Sequence, residues 1–396
     1  MQRIGSFRIE GEVLTHHSFG RFLINLFAVF GMAVAAVCIY LVLVNGTPVR
    51  SFALTYLYVK NKALHPISNA KLIEGATRGM VEALEDPYST YLSKTEYEDL
   101  RVRVEGSFSG VGMVFGAEKD GSLRVVAPIK HTPASEAGIK SGDLIIKING
   151  ESTKGMNVDQ AQQLIRGKSG TPVRLTIYRE ANKTEKEYRL IRRNINVPSV
   201  DSHLVKGHKN IGYLQITQFT NKSAQEFVNH LNGLINRDAE ALILDLRDDP
   251  GGDFEAALKI ADVVLAKGTI VKVADRKGPV EADVASAPGI DMPIIILVNG
   301  GSASASEILA GALKDNNAAI LVGEKTFGKG LVQTIIPLAG GSYLKLTTNK
   351  YTTPSGADIN KIGIAPAYTV HNPPDGKTDL QMEKAVLLLE EKLADR

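Results

Sequence analysis

From Asn194 onward, apolar strand candidates alternate with amphipathic helix candidates, and this alternation restricts the fold more than any other feature of the chain. Strands are expected over 211–216, 241–246, 294–298 and 319–322, and helices over 224–235, 254–266 and 304–314. Such a succession builds layered α/β structure, with helices covering a largely parallel sheet. Two further strand candidates, 332–336 and 343–348, follow each other without a helix between them, so the sheet is expected to be mixed. A Leu-rich amphipathic helix over 379–393 closes the chain.

Upstream the pattern differs. Near Gly106 it turns to short strands, at 123–127 and 144–148, with a short amphipathic helix over 158–166 and an alternating strand carrying Val173, Leu175 and Ile177. Alternation of this kind marks a half-buried strand. Before Gly106, helical spacing runs over 71–84, Asp86-Pro87 interrupts it, and a second helix is expected over 93–104. A chain of 396 residues is too long for one ordinary core. The expected divisions are an N-terminal segment 1–21, an apolar run 22–44, a helical region 45–105, a β-rich module 106–193, an α/β core 194–377 and a C-terminal helix 378–396.

The run 22–44 is almost wholly apolar, with Asn25 its one clearly polar residue. About 20 apolar residues span a bilayer as a helix. No small-x-small cleavage site follows the run, and Ala33 and Ala35, which have that spacing, lie inside it. An uncleaved transmembrane signal anchor is therefore expected, with the protein at the cell (plasma or inner) membrane. Arg3, Arg8 and Arg21 before the run balance Arg50, Lys60 and Lys62 after it, so charge does not set its orientation. Cys38 is the single cysteine, which excludes an intrachain disulfide, a CxxC redox pair and a Cys-based zinc site. A net charge of +3, spread along the chain without a basic block, argues against a nucleic-acid partner.

Three stretches carry candidate chemistry. Asn299-Gly300-Gly301-Ser302-Ala303-Ser304-Ala305-Ser306-Glu307 follows an apolar strand and opens a helix. A strand–turn–helix junction exposes a hydroxyl beside free helix-start N–H groups able to hold an oxyanion. The same residues also have the S-x-x-E spacing of a capping box, and the chemistry alone does not choose among Ser302, Ser304 and Ser306. Downstream, Lys329 stands between Gly328 and Gly330 just before an apolar strand. A lysine serves as a general base once burial or a neighbouring cation favours its neutral form, and a serine paired with it needs no histidine. The histidines stand in no recognisable motif: there is no G-x-S-x-G elbow with downstream Asp and His, and no H-E-x-x-H. The third stretch, Asp245-Leu246-Arg247-Asp248-Asp249-Pro250-Gly251-Gly252, follows another strand; its glycines offer N–H donors for close approach, while its acids admit a metal site or an ordinary turn.

Together these stretches resemble the C-terminal processing peptidases, also called tail-specific proteases. The resemblance is carried by N-x-x-S-A-S-A-S-E at 299–307, F-G-K-G at 327–330 with Gln333 four residues beyond the lysine, L-R-x-x-P-G-G at 246–252 and Tyr351-Thr352-Thr353-Pro354-Ser355-Gly356. It implies Ser304 as nucleophile, Lys329 as general base, Gln333 orienting the lysine, and N–H groups of Ala305, Gly251 and Gly252 as oxyanion donors. Asp315 matches a further position that some members need. The family usually has Asn where Asp249 stands here.

Gly110-Val111-Gly112-Met113 resembles the carboxylate-binding loop of PDZ domains, and 133–138, Gly142-Asp143 and 148–150 resemble the rest of one. Backbone N–H groups of Val111, Gly112 and Met113 would receive a peptide's C-terminal carboxylate while its strand adds to a sheet edge; Val158, Leu164 and Ile165 are candidates for the side-chain pocket. The expected architecture is a mixed-sheet α/β, crotonase-like peptidase core with an inserted β-rich PDZ domain, an N-terminal helical segment and one transmembrane helix. The expected function is a membrane-anchored serine endopeptidase, with its catalytic part outside the cytoplasm, that binds protein tails and cuts within them. It needs no cofactor or metal, and leaves room for a homo-oligomer and an adaptor protein. The rival readings are a catalytically inactive PDZ scaffold and a crotonase-type acyl-CoA enzyme.

Overall fold

The computed structural model describes residues 16–118, 120–374 and 376–396; expectations placed on 1–15, Arg3 and Arg8 among them, lie outside the described residues. The chain divides into two compact units, 1–85 and 86–396. The first holds the helix His16–Lys62 and the helix Asn69–Glu82, the latter N-capped by Ser68, whose Oγ accepts the Lys71 N–H at 3.2 Å. Among the described residues no helix is long and apolar enough to cross a membrane. The apolar run is not a bounded element: its helix continues unbroken through Gly46, Thr47, Pro48 and Arg50 to Lys62. The transmembrane helix expected over 22–44, the membrane partner and the cell-membrane localisation are corrected on that finding.

The second unit is organised around a six-stranded sheet. Its order is Val200–Val205, His208–Ile216, Ala241–Asp245, Ile294–Val298, Ala319–Gly323 and Tyr368–Thr369; the first pair is antiparallel and the others parallel. The sheet is mixed, though not because of the strands expected to make it so. Leu331–Pro337 and Tyr343–Thr352 leave it and pair in a separate antiparallel sheet with Thr90–Leu92, Thr269–Asp275 and Gly278–Val284. The side-chain pattern explains the partition. Ala241–Asp245 and Ile294–Val298 are buried at every position, as strands covered on both faces must be. Tyr343–Thr352 carries a polar run, Thr347-Thr348-Asn349-Lys350, and is mostly half-buried.

Successive strand residues point to opposite faces, and the two faces build different cores. On one, Ile216, Leu242, Leu244 and Ile296 pack with Phe227, Ile260 and Leu309 from the helices Ser223–Ile235, Phe254–Val264 and Ala305–Asp315. On the other, Ile243, Ile295 and Leu297 meet Leu388 and Leu389 of the helix Leu380–Ala394. That helix is also tied by polar contacts: Arg247 donates to Asp245 at 2.9 Å and to Asp379 at 2.9 Å.

Residues 107–196 emerge and return through the antiparallel pair Ser107–Gly110 and Arg193–Asn196. Between them lies an antiparallel sheet of Met113–Ala117, Leu123–Pro128, Leu144–Ile148, Pro172–Arg179 and Thr184–Ile191, with the helix Val158–Ile165 packed on it. It has its own core, including Leu123, Ile145, Ile148, Ala161, Val173 and Leu175.

Candidate active site

Ser304 is the N-cap of the helix Ala305–Asp315, one turn beyond the strand Ile294–Val298, with φ 56° and ψ −112°. A positive φ on a residue with a Cβ is uncommon, and such strain persists only where surroundings over-determine it, at a cost of about 1–3 kcal/mol. Here Glu307 supplies the constraint. Its side chain is fully buried and accepts the Ser304 N–H at 2.9 Å, the Thr326 hydroxyl at 2.6 Å, and the N–H groups of Gly328 and Lys329 at 2.7 and 2.8 Å. One carboxylate thereby fixes both the serine turn and the loop bearing Lys329. The capping-box spacing was legible in the sequence; that the same carboxylate reaches Lys329's backbone was not, because that contact is made across the fold.

The three serines separate by environment. Ser302 Oγ donates to the Leu246 carbonyl at 2.6 Å and Ser306 Oγ to the Asp249 carbonyl at 2.9 Å, and both residues are fully buried. Ser304 alone of the three lines the cleft that opens beside the helix. This cleft, of about 420 Å³, also collects Ala305, Gly251, Gly252, Lys329 and Gln333, between apolar walls that include Phe254, Ile308, Leu331 and Ile335. The helix Lys94–Glu105 contributes Leu100, Arg103 and Val104 to its rim. No histidine lines it among the described residues.

Lys329 is in a setting that favours its neutral form. Burial lowers its pKa, the Lys345 ammonium lowers it further, and Asp86 and Glu307 oppose the shift. Its Nζ lies 4.8 Å from the centroid of the Tyr88 ring, within cation–π range. Among the described residues no hydrogen bond joins Lys329 Nζ to Ser304 Oγ, and Gln333 Nε2 donates to Thr347 Oγ1 at 3.3 Å rather than to the lysine. The expected trio thus shares one cleft without being hydrogen-bonded to one another. Tyr351 braces it: its hydroxyl lies 2.6 Å from the Lys329 carbonyl and 3.1 Å from that of Ser304. Sequence reasoning missed Tyr88 and Lys345. Neither belongs to a motif, and pairing within the second sheet, Thr90 opposite Lys345, is what brings their segments together.

The turn after Ala241–Asp245 comes against the serine. Gly251 has φ 85°, and a Cβ built on it would lie 2.4 Å from the Ala303 carbonyl oxygen, 2.7 Å from Ala305 N and 3.0 Å from Ser304 Cβ. Only glycine fits there. Gly252 lies against the backbone of Phe219. The two acids of the turn diverge: Asp248 accepts from Asn299 Nδ2 at 2.9 Å, whereas Asp249 is buried and its Oδ1 accepts the Gly251 N–H at 2.8 Å. Asp315 Oδ2 accepts the Ser355 N–H at 2.9 Å, tying the end of the serine helix to the 353–356 turn.

In the β-rich module, Val111, Gly112 and Met113 lie between Ser107–Gly110 and the start of Met113–Ala117. Gly112 has φ 75°, and an added Cβ would meet Thr132 Cβ at 2.3 Å. The carbonyl of Gly112 accepts Thr132 Oγ1 at 2.9 Å and that of Val111 accepts the Ala134 N–H at 2.8 Å, so the loop is pinned through its acceptors. Of the three pocket candidates, Ile165 belongs to the buried core, while Val158 and Leu164 are partly buried beside it. The end of that helix is held by Arg192, buried and with no carboxylate partner among the described residues. It donates to the carbonyls of Ile165, Leu164 and Pro172 at 2.9, 2.9 and 2.8 Å. These include helix-terminal acceptors with no intrahelical partner. Arg192→Met should destabilise this module by about 3 kcal/mol, and accelerated amide exchange over 158–191 is the readout; unchanged protection would contradict the role. At the same helix end, Arg166 forms an ion pair with Asp99 of the helix that rims the cleft.

Comparison with known proteins is consistent across three regions. The family model described as Peptidase family S41 matches residues 210–370, that described as PDZ domain matches 124–179, and that described as Activating protease CtpB N-terminal domain matches 47–96. The carboxy-terminal processing protease CtpA of Bacillus subtilis (strain 168) is 41% identical over 313 residues, which make up 78% of this chain and 66% of that protein. The carboxyl-terminal-processing protease of Picosynechococcus sp. is 39% identical over 319 residues, 78% of this chain and 77% of that one. Among solved structures, a photosystem II D1 C-terminal processing protease superposes with a TM-score of 0.51 at 29% identity, covering 85% of this chain and 90% of its own.

Proposed function

The chain belongs to the carboxyl-terminal processing proteases, serine peptidases of family S41, and carries a PDZ domain; from that premise we propose that it captures protein tails by their free C-terminus and cleaves within them by a Ser–Lys mechanism. The observation that carries this reading is the placement of Ser304, in strained backbone at a strand–helix junction, in one cleft with Lys329 and against Gly251.

In the reaction, Ser304 Oγ attacks the scissile carbonyl carbon and its proton passes to Lys329 Nζ. The N–H of Ala305, a first-turn donor without an intrahelical acceptor, holds the developing oxyanion together with the N–H of Gly251 or Gly252. Collapse of the tetrahedral intermediate delivers the proton from Lys329 to the leaving amine and leaves an acyl-enzyme, which water, deprotonated by the same lysine, hydrolyses. Lys329 must first leave the face of Tyr88, and Gln333 then orients it. The ion pair of Arg166 with Asp99 connects the end of the PDZ helix to the cleft rim, which supports tail binding as the event that prompts this movement.

Tail capture is tested with two peptides of one sequence, one with a free C-terminal carboxylate and one amidated. The amidated peptide should show a kcat/KM lower by about tenfold or more, since it lacks the charge that backbone donors receive. Equal rates for the two would contradict capture by the carboxylate, while leaving the chemistry at Ser304 untouched.

A further inference from the structure

Asp249 is the one acid of the catalytic turn that points inward, and no role in the reaction has been given to it. It is fully buried. Its Oδ1 accepts the Gly251 N–H at 2.8 Å, and its Oδ2 is buried with no hydrogen-bond partner among the described residues. Its backbone carbonyl receives Ser306 Oγ at 2.9 Å and the Ala303 N–H at 3.0 Å, so the residue is fixed against the serine segment. Charged groups on the surrounding elements are engaged elsewhere. Asp245 is paired with Arg247, Asp248 with Asn299, Asp253 with the Ala256 N–H, and Glu307 with Thr326 and the backbone of Ser304, Gly328 and Lys329. Burial and the Gly251 N–H are the influences on the Asp249 carboxyl.

Such a carboxyl occupies a donor that the reaction needs. We propose that Asp249 is a positioning residue for the oxyanion hole: as a carboxylate it keeps the Gly251 N–H for itself and places a buried negative charge beside the developing oxyanion, and as a neutral acid it yields that donor to the substrate. A charge-assisted bond to N–H is roughly twice as strong as one to a neutral acceptor, so the two forms compete differently with an incoming oxyanion. This rests on the reading of Gly251 as an oxyanion donor and Ser304 as nucleophile.

Burial pushes the Asp249 carboxyl up to about 7, with the hydrogen bond from the Gly251 N–H pulling the other way. The folded pKa is raised above the ordinary carboxylate range, so the neutral form is present below about 7 and is lost as pH climbs through it. Acylation supported by neutral Asp249 therefore falls with rising pH. Lys329 acts in the opposite sense, because its neutral form grows as pH rises. Together they give a bell-shaped profile whose alkaline limb belongs to Asp249.

The experiment is the rate at which a fluorophosphonate probe phosphonylates the full chain, with loss of fluoride, from pH 6 to pH 9, for the unmodified protein and for Asp249→Asn. Asparagine has the same shape, keeps a carbonyl for the Gly251 N–H and cannot ionise. The ratio of the rate at pH 9 to that at pH 7 should rise by about tenfold or more in the variant, as one oxyanion donor is worth about 100-fold or more. Superimposable profiles would overturn the proposal. If Asp249→Asn did not fold, the unmodified chain still decides the matter, since a rate that rises monotonically to pH 9 contradicts a limb owned by Asp249. Ser304→Ala run alongside separates the two readings: labelling that survives it sinks the nucleophile assignment, whereas labelling abolished by it with unchanged Asp249→Asn profiles sinks only the present inference.

Discussion

Ser304→Ala and Lys329→Ala should each lower peptidase activity by about 10,000-fold or more, and the double variant should lose little beyond either one. Members of a catalytic unit fail together, because a nucleophile without its base, or a base without its nucleophile, leaves only the contribution of binding and the oxyanion donors. The two losses should part company in stability. Lys329 is a half-buried cation whose pKa is lowered by burial and by Lys345. A lysine whose folded pKa lies below its unfolded value penalises the fold at every pH where the unfolded chain carries the charge. The penalty is complete below the folded pKa, shrinks as pH rises, and vanishes above the unfolded pKa. Lys329→Met should therefore be inactive yet at least as thermostable as the unmodified chain at pH 7, with the difference closing at alkaline pH. A Lys329→Met protein that lost stability as well as activity would point to a structural lysine. For activity the same lowered pKa means that kcat/KM rises with pH as the neutral amine accumulates, until the alkaline limb assigned to Asp249 turns it over.

Gly251→Ala is expected to reduce kcat/KM by about 100-fold or more and to destabilise the core by about 2 kcal/mol. The added Cβ meets the Ala303 carbonyl oxygen at 2.4 Å and Ala305 N at 2.7 Å, both backbone atoms, in a residue held at φ 85°. A flexible side chain would give way; backbone at the start of a packed helix does not. To relieve the contact the 249–252 turn must withdraw from Ser304, which moves the Gly251 donor from the oxyanion and disturbs the Ala305 donor with it. Gly300→Ala, in the same serine turn, is the matching control: nothing lies within 4 Å of a Cβ there, and its effect should be within about threefold, or about 0.5 kcal/mol of stability. Equal effects at the two positions would show that steric approach to the serine is not what Gly251 provides.

The sequence revealed those features that rest on local pattern. The buried strand Ile294–Val298, the strand Leu144–Ile148 and the helix beginning after Ser304 follow from apolar runs and capping chemistry and lie where the pattern puts them, although Leu144–Ile148, expected to be buried, is only partly so, with Lys147 exposed. Pattern did not reveal which sheet a strand joins. Leu331–Pro337 and Tyr343–Thr352 read as members of the central sheet but pair apart from it, because a short strand signal does not say which neighbour the strand pairs with. Nor could pattern bound the helix His16–Lys62, whose apolar centre passes without a break into polar residues. At the site, the residues named by motif share one cleft, whereas Tyr88, Lys345 and the wider reach of Glu307 depend on contacts between segments far apart in the chain. Asp249 stood in plain view as a departure from the usual residue of the turn. Its consequence became readable only once its burial and the vacant Oδ2 were seen.

The most direct test is intact-mass analysis of the protein after reaction with a fluorophosphonate, followed by mapping of the modified residue. A single adduct on Ser304, formed faster as pH rises from 6 to 7 and suppressed by at least about 1,000-fold in Lys329→Ala, is the predicted result. An adduct on Ser302, Ser306 or any other residue, or undiminished labelling of Ser304 in Lys329→Ala, would contradict a serine nucleophile activated by that lysine.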